Sequence, residues 1–290
     1  MIETRALTKT YGRVQAVQDA SFAAVPGRVT GFLGLNGSGK TTTLRMLLGL
    51  SRPTAGEALI NGRRYRDLEQ PMRQVGAVLE QGLSHPGLTG RGHLRTYAPL
   101  SGASWAHVDR LLEYVGLDGA ASKRTGNYSL GMRQRLAVAT ALLGEPSVLV
   151  LDEPANGLDP SGVAWLRELL RAHAQAGGTV LLSSHLLAEL EQLIDDVVII
   201  VQGRVTLQAP LASLAGDARL RVRGGDPDRL GDAYERAGAQ VTTDGRMLFV
   251  TGLSPEDAGV IALHAQVPIY ELAADTPSLE QVFMTLAAAG

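Results

Sequence analysis

The stretch Gly34-Leu35-Asn36-Gly37-Ser38-Gly39-Lys40-Thr41 fits G-x-x-x-x-G-K-[ST], the pattern of a phosphate-binding P-loop. Its glycines let the backbone wrap a phosphate chain with no Cβ in the way. Successive backbone N–H groups then point inward as an anion nest. Lys40 brings a point charge to the terminal phosphates, and Thr41 offers a hydroxyl to Mg²⁺. A helix is expected to start here, running through Leu44, Met46, Leu47 and Leu48, with Thr42 in its first turn among the phosphate-facing residues. Upstream, Val29-Thr30-Gly31-Phe32-Leu33 reads as a buried strand. Strand, glycine loop and helix in that order are the context the motif requires.

Composition narrows the class. A chain of 290 residues holds one large domain plus a small one. With 45% hydrophobic and 19% charged residues it is an ordinary globular sequence. A net charge of -2 shows none of the basic excess of a nucleic-acid binder. There are no cysteines, which excludes disulfides and thiolate metal sites. The first residues, Met1-Ile2-Glu3-Thr4-Arg5, do not read as a signal peptide, and the apolar run at 197–201 is too short to span a bilayer. The expectation is a cytoplasmic protein whose membrane role, if it has one, runs through a partner.

Strand-like runs at 147–151, 179–183 and 197–201 alternate with helical spacing at Val163, Leu166, Leu169 and Leu170. This is the grammar of an α/β fold with a parallel sheet and crossover helices. Residues 91–115 turn helical with no strand, the centre of a helical insert placed at about 85–135. The alternation stops near 211–217, which divides the chain into a large domain, 1–214, and a small α+β domain, 215–290. In that domain, strands at 218–223, 240–243, 246–251 and 267–272 interleave with helices at 228–237 and 254–265, with Ser254 as an N-cap. Asp244-Gly245 marks a hairpin turn. The order β-α-β-β-α-β suits a ferredoxin-like unit. A last helix is expected from Ser278, with Gln281 completing a capping box and Leu279, Val282, Phe283 and Leu286 on one face.

The second chemical element is Val148-Leu149-Val150-Leu151-Asp152-Glu153, a hydrophobic strand ending in two carboxylates. Asp152 suits a hard Mg²⁺ ligand, direct or through water. Glu153 suits a base that orients an attacking water. The third is Tyr128-Ser129-Leu130-Gly131-Met132-Arg133-Gln134-Arg135. Lying between the P-loop and Asp152-Glu153, it resembles the signature of ATP-binding cassette (ABC) ATPases, usually Leu-Ser-Gly-Gly-Gln. Ser129 and Gly131 match that signature, and Tyr128, Leu130 and Met132 depart from it.

This resemblance covers about residues 1–214 and implies ATP and Mg²⁺ as ligands and a P-loop ATPase of ABC type with an N-terminal β-subdomain. It implies that Ser129 and Gly131, at a helix N-terminus, bind the γ-phosphate held by Gly34, Asn36, Gly37, Ser38, Gly39, Lys40, Thr41 and Thr42 of another subunit, in a head-to-tail homodimer. It implies that Tyr11 stacks on adenine and that Asn156-Gly157-Leu158-Asp159-Pro160 passes between subunits. His185, after Ser183-Ser184, matches the switch histidine, so the catalytic set is Lys40, Glu153 and His185. The family's Q-loop slot near Mg²⁺ falls on Glu80 by spacing, with Gln81 as the competitor. The variant signature, the Glu80 slot and Pro277-Ser278-Leu279-Glu280-Gln281-Val282-Phe283 resemble the ATP-binding subunits of ABC-2 type exporters, the class that includes drug- and antibiotic-resistance transporters. The expected partner is a membrane permease gripped by the helical insert, with the protein peripheral on the inner face of the cell membrane. An importer subunit would share every catalytic residue. Non-transport ABC proteins usually carry two cassettes or a long coiled coil. A GTPase needs Asn-Lys-x-Asp, which is not found in this sequence. The C-terminal domain reads as a docking or dimer-stabilising module rather than a ligand sensor.

Overall fold

A computed structural model of the chain describes residues 1–79, 84–184, 191–214, 219–275 and Phe283. The chain divides into two compact units, one built on Met1–Leu211 and the other on Ala212–Met284.

The first unit holds two sheets. Strands β1 (Ile2–Tyr11), β2 (Val14–Ala24) and β4 (Ala55–Ile60) form an antiparallel sheet in the order β2-β1-β4. The second sheet has the order β5-β6-β7-β3-β8-β9, from β3 (Val29–Leu33), β5 (Val75–Val78), β6 (Val148–Asp152), β7 (Thr179–Ser184), β8 (Asp196–Val201) and β9 (Arg204–Pro210). All its pairings are parallel except β8 with β9. Every residue of β3, β6 and β7 is buried, which is why these strands read as unbroken apolar runs and not as alternation. The sheets share a core in which Phe22 stacks on Phe32 at 5.0 Å and Leu44 of α1 (Lys40–Leu47) is fully buried.

The insert is made of α2 (Gly90–Ser101), α3 (Trp105–Tyr114) and the start of α4 (Leu130–Leu142). Thr89, Ser104 and Ser129 cap these helices, each side chain accepting from a first-turn N–H. The insert has its own core of residues such as Leu94, Val108, Leu112 and Leu136, distinct from the core under the sheets. α5 (Pro160–Gln175) starts at Asp159, whose carboxylate accepts from Gly162 N at 2.8 Å, with Pro160 in the first position.

The second unit has the expected order of elements. Strands β10 (Arg219–Gly224), β11 (Gln240–Asp244), β12 (Met247–Thr251) and β13 (Ile269–Asp275) form an antiparallel sheet in the order β11-β12-β10-β13, the ferredoxin-like arrangement. Helices α6 (Pro227–Arg236) and α7 (Pro255–His264) bury Leu230, Tyr234, Ala258 and Ala262 with Leu220, Val222 and Val250. The Tyr234 hydroxyl donates to Ala258 O and ties the helices together. Ser254 caps α7 as expected. β13 starts two residues later than its sequence pattern. Val267 N donates to Ala262 O and so finishes the helix, and Pro268 has no N–H to pair. The helix expected from Ser278 lies outside the described residues, apart from the buried Phe283.

Candidate functional site

Strand order builds the site. β7 lies between β3, which feeds the glycine loop, and β6, which ends in Asp152. In register, Ser183 of β7 is level with Phe32 on one side and Asp152 on the other. The loop, Asp152 and Ser183 therefore meet at the C-terminal edge of a parallel sheet, where ligands of such sheets bind.

The loop needs its glycines for two different reasons. A methyl group on Gly34 would overlap Ser38 Oγ and stand 2.5 Å from Ile200 O. Gly39 has φ 106, and a methyl group there would meet Ala16 O at 2.5 Å. Gly39 is also the N-cap of α1 and supplies no side-chain cap, so no side chain takes the first-turn N–H groups. Such a helix start is an anion site by construction. Ser38 Oγ is buried with no partner, an orphan that a phosphate oxygen would satisfy. Leu35, Asn36 and Gly37 form the exposed rim.

Lys40 is buried, and its ammonium donates to Gly34 O at 2.7 Å and Leu35 O at 3.2 Å. Its Nζ stands 3.8 Å from Glu153 Oε1. Burial lowers its pKa, against the opposing pull of Glu153 and Asp152. Asp152 is also buried. Its Oδ2 accepts from Thr41 Oγ1 at 2.8 Å, and its Oδ1 accepts from Ser183 Oγ. Burial raises the Asp152 pKa despite these hydrogen bonds. Both charges are thus under desolvation stress that a bound cation and polyphosphate would relieve.

Thr41 and Asp152 present two hard oxygens side by side, which suits Mg²⁺. Among the described residues no three His, Asp or Glu side chains converge into a metal cage. A divalent ion here would complete its shell with phosphate oxygens and water. Glu153 has φ 49, the left-handed region that a non-glycine residue occupies at a cost of roughly 1–2 kcal/mol. Its N–H is held by Ser183 O at 3.2 Å and Ser183 Oγ at 3.1 Å, so the turn is fixed from β7. Ser183 thus touches both acids. The sequence reading gave it no role, because a buried serine in an apolar strand carries no signal until its register is known.

The other expected residues sit apart. Ser129 caps α4, its hydroxyl accepting from Met132 N at 3.2 Å, and Gly131 lies in that helix's first turn. This hydrogen bonding stays within the helix and does not reach the Lys40 loop. Tyr11 is 49% exposed at the end of β1, with its hydroxyl 3.2 Å from Ser51 Oγ and Lys9 Nζ 4.7 Å from its ring centroid. Glu80, Gln81 and His185 lie outside the described residues.

Comparison with known proteins decides the family. Residues 17–156 match the ABC transporter domain. The bacitracin transport ATP-binding protein BcrA of Bacillus licheniformis is 42% identical over 217 residues, 74% of this chain and 71% of that protein. The chain belongs to the ABC transporter ATP-binding family. Its core activity is therefore nucleotide binding and ATP hydrolysis coupled to transport. The Nod factor export ATP-binding protein I of Burkholderia orbicola is 36% identical over 264 residues, 88% of this chain and 87% of that protein. A solved structure titled "Structure of ATP binding subunit of ABC transporter" superposes with a TM-score of 0.67 at 29% identity, covering 90% of this chain and 98% of that one. Residues 218–280 of this ABC ATPase match a domain of unknown function. No described helix is long and apolar enough to cross a membrane.

Proposed function

We propose that this ABC ATPase powers export through a separate membrane subunit of the ABC-2 type and works as a head-to-tail homodimer. The observation that carries this reading is the division of labour between two helix N-termini. The α1 end is flanked by the buried Lys40 and the Thr41–Asp152 pair, whereas the α4 end carries Ser129 and backbone N–H groups and makes its hydrogen bonds within its own helix. In the proposed dimer, ATP binds to residues 34–42 of one copy and is closed over by Ser129 and Gly131 of the other. Thr41 and Asp152 would hold Mg²⁺, with Glu80 as a further ligand on sequence spacing, and the ion would neutralise phosphate charge. Glu153 orients the attacking water, His185 senses the γ-phosphate, and Tyr11 stacks on adenine. Loss of the γ-phosphate removes the link between copies, and the dimer loosens.

Export is supported by relatives named for bacitracin transport and Nod factor export. The insert of residues 85–135 grips the permease, which holds the protein at the inner face of the membrane, and the 215–290 domain acts as a docking or dimer-stabilising module. The test is Glu153→Gln. The variant should lose nearly all hydrolysis and elute as a dimer with ATP but as a monomer without it. A variant that stays monomeric at saturating ATP overturns the dimer reading.

A further inference from the structure

The signature departs from the usual pattern at Leu130, and that side chain packs against Gly157. Gly157, in the loop between β6 and α5, has φ 75, and a methyl group built on it would overlap Leu130 Cδ2 and stand 2.8 Å from Leu130 Cγ. Leu130 therefore lies directly on the Gly157 backbone. The neighbouring leucine completes the contact from the other side. Leu158 Cδ2 is 3.7 Å from the Cβ position of Gly131 and 3.2 Å from that of Gly162. Leucine meets glycine in both directions, so the start of α4 and the 156–159 loop interlock. Further along, the Arg135 guanidinium lies 4.4 Å from the Trp165 ring centroid and donates to Val115 O at 2.9 Å. This joins α4 to α5, the helix that the loop leads into.

The interlock matters because it seats the near end of α4, which belongs to the insert's own core. A cavity of about 420 Å³ is lined by β5, α2 and α4 residues such as Val78, His93, Tyr97 and Leu136. The far end of α4 is seated tightly, since a methyl group on Gly76 of β5 would overlap Ala141 O. The near end is seated on Gly157. From Gly157 the chain runs back through two short turns, Leu158 N to Ala155 O and Asn156 N to Glu153 O, to Glu153 itself.

We propose that Leu130 is a positioning residue that makes the Ser129 end of α4 and the Glu153 turn move as one body. In a head-to-tail dimer, one chain's Ser129 closes the site of the partner's ATP while its Glu153 serves its own. The Leu130–Gly157 contact then links the two ATP sites through a single chain. This inference rests on the dimer reading above.

The experiment is steady-state ATP hydrolysis by Leu130→Ala and by the conservative Leu130→Met, alongside nucleotide binding and thermal unfolding. In the parent, two linked sites should give a Hill coefficient approaching about 2. Leu130→Ala should drop it to about 1 and lower kcat, with monomer nucleotide affinity unchanged, and Leu130→Met should restore cooperativity. An Ala variant that keeps the parent Hill coefficient overturns the inference, as does one whose only change is a lower unfolding temperature. The dimer reading is judged separately by the Glu153→Gln elution. A Glu153→Gln dimer together with unaltered Leu130→Ala cooperativity refutes the link alone, whereas a Glu153→Gln monomer refutes both.

Discussion

The helix starts of α1 and α4 carry the two halves of the proposed nucleotide site, and they are built in opposite ways. α1 begins at a glycine in the left-handed region with no side-chain cap, beside a buried lysine, a threonine–aspartate pair and an orphan serine hydroxyl. α4 begins at a serine that caps its own helix. The first start leaves the Ser38 hydroxyl without a partner and keeps two charges desolvated, which a polyphosphate and a cation would relieve. The second is locally satisfied and can wait in solvent. In the proposed dimer, one end holds a polyphosphate by itself and the other recognises a polyphosphate that is already held.

Three substitutions test this contrast, in decreasing order of effect. Lys40→Ala should lower ATP turnover by roughly 100- to 1000-fold and weaken nucleotide binding by the monomer, since it removes the one cation inside the loop. Phosphate release and equilibrium binding measure the two effects, and unchanged turnover would remove Lys40 from the site. Ser129→Ala should lower turnover roughly tenfold, the effect of one hydrogen bond to a charged group, and leave monomer affinity unaltered. If it weakens monomer binding as Lys40→Ala does, the two helix starts serve one site and the contrast fails. Ser183→Ala should cost roughly three- to tenfold in Mg²⁺ dependence, because it frees Asp152 Oδ1 and loosens the Glu153 turn without touching the phosphates. A metal titration that does not shift would show that the β7 hydroxyl only fills space.

The legible parts of the site were those whose chemistry is local. Gly34, Gly37, Gly39, Lys40 and Thr41 lie within eight consecutive residues, and the turn itself places them together. The cap at Ser254 was readable for the same reason, since an N-cap bonds to an N–H only three residues away. Ser183 was not readable. Its partners are 30 and 31 residues distant, and only strand register makes them neighbours. The late start of β13 was missed because an apolar run cannot show that Val267 belongs to the helix end before it.

The sequence by itself determined that residues 34–41 carry the pattern of a phosphate-binding loop, that the chain alternates buried strands with helices up to about residue 210, and that Ser129 heads a helix. Tertiary structure alone decided that β7 stands between β3 and β6, so that one serine holds both acids, and that Leu130 rests on Gly157. The reason is the range of the forces involved. Periodicity, capping and turn chemistry act over a few residues and leave a mark in the sequence. Strand order and side-chain interlock are settled by packing between distant segments, where many local patterns fit and only the folded chain selects one.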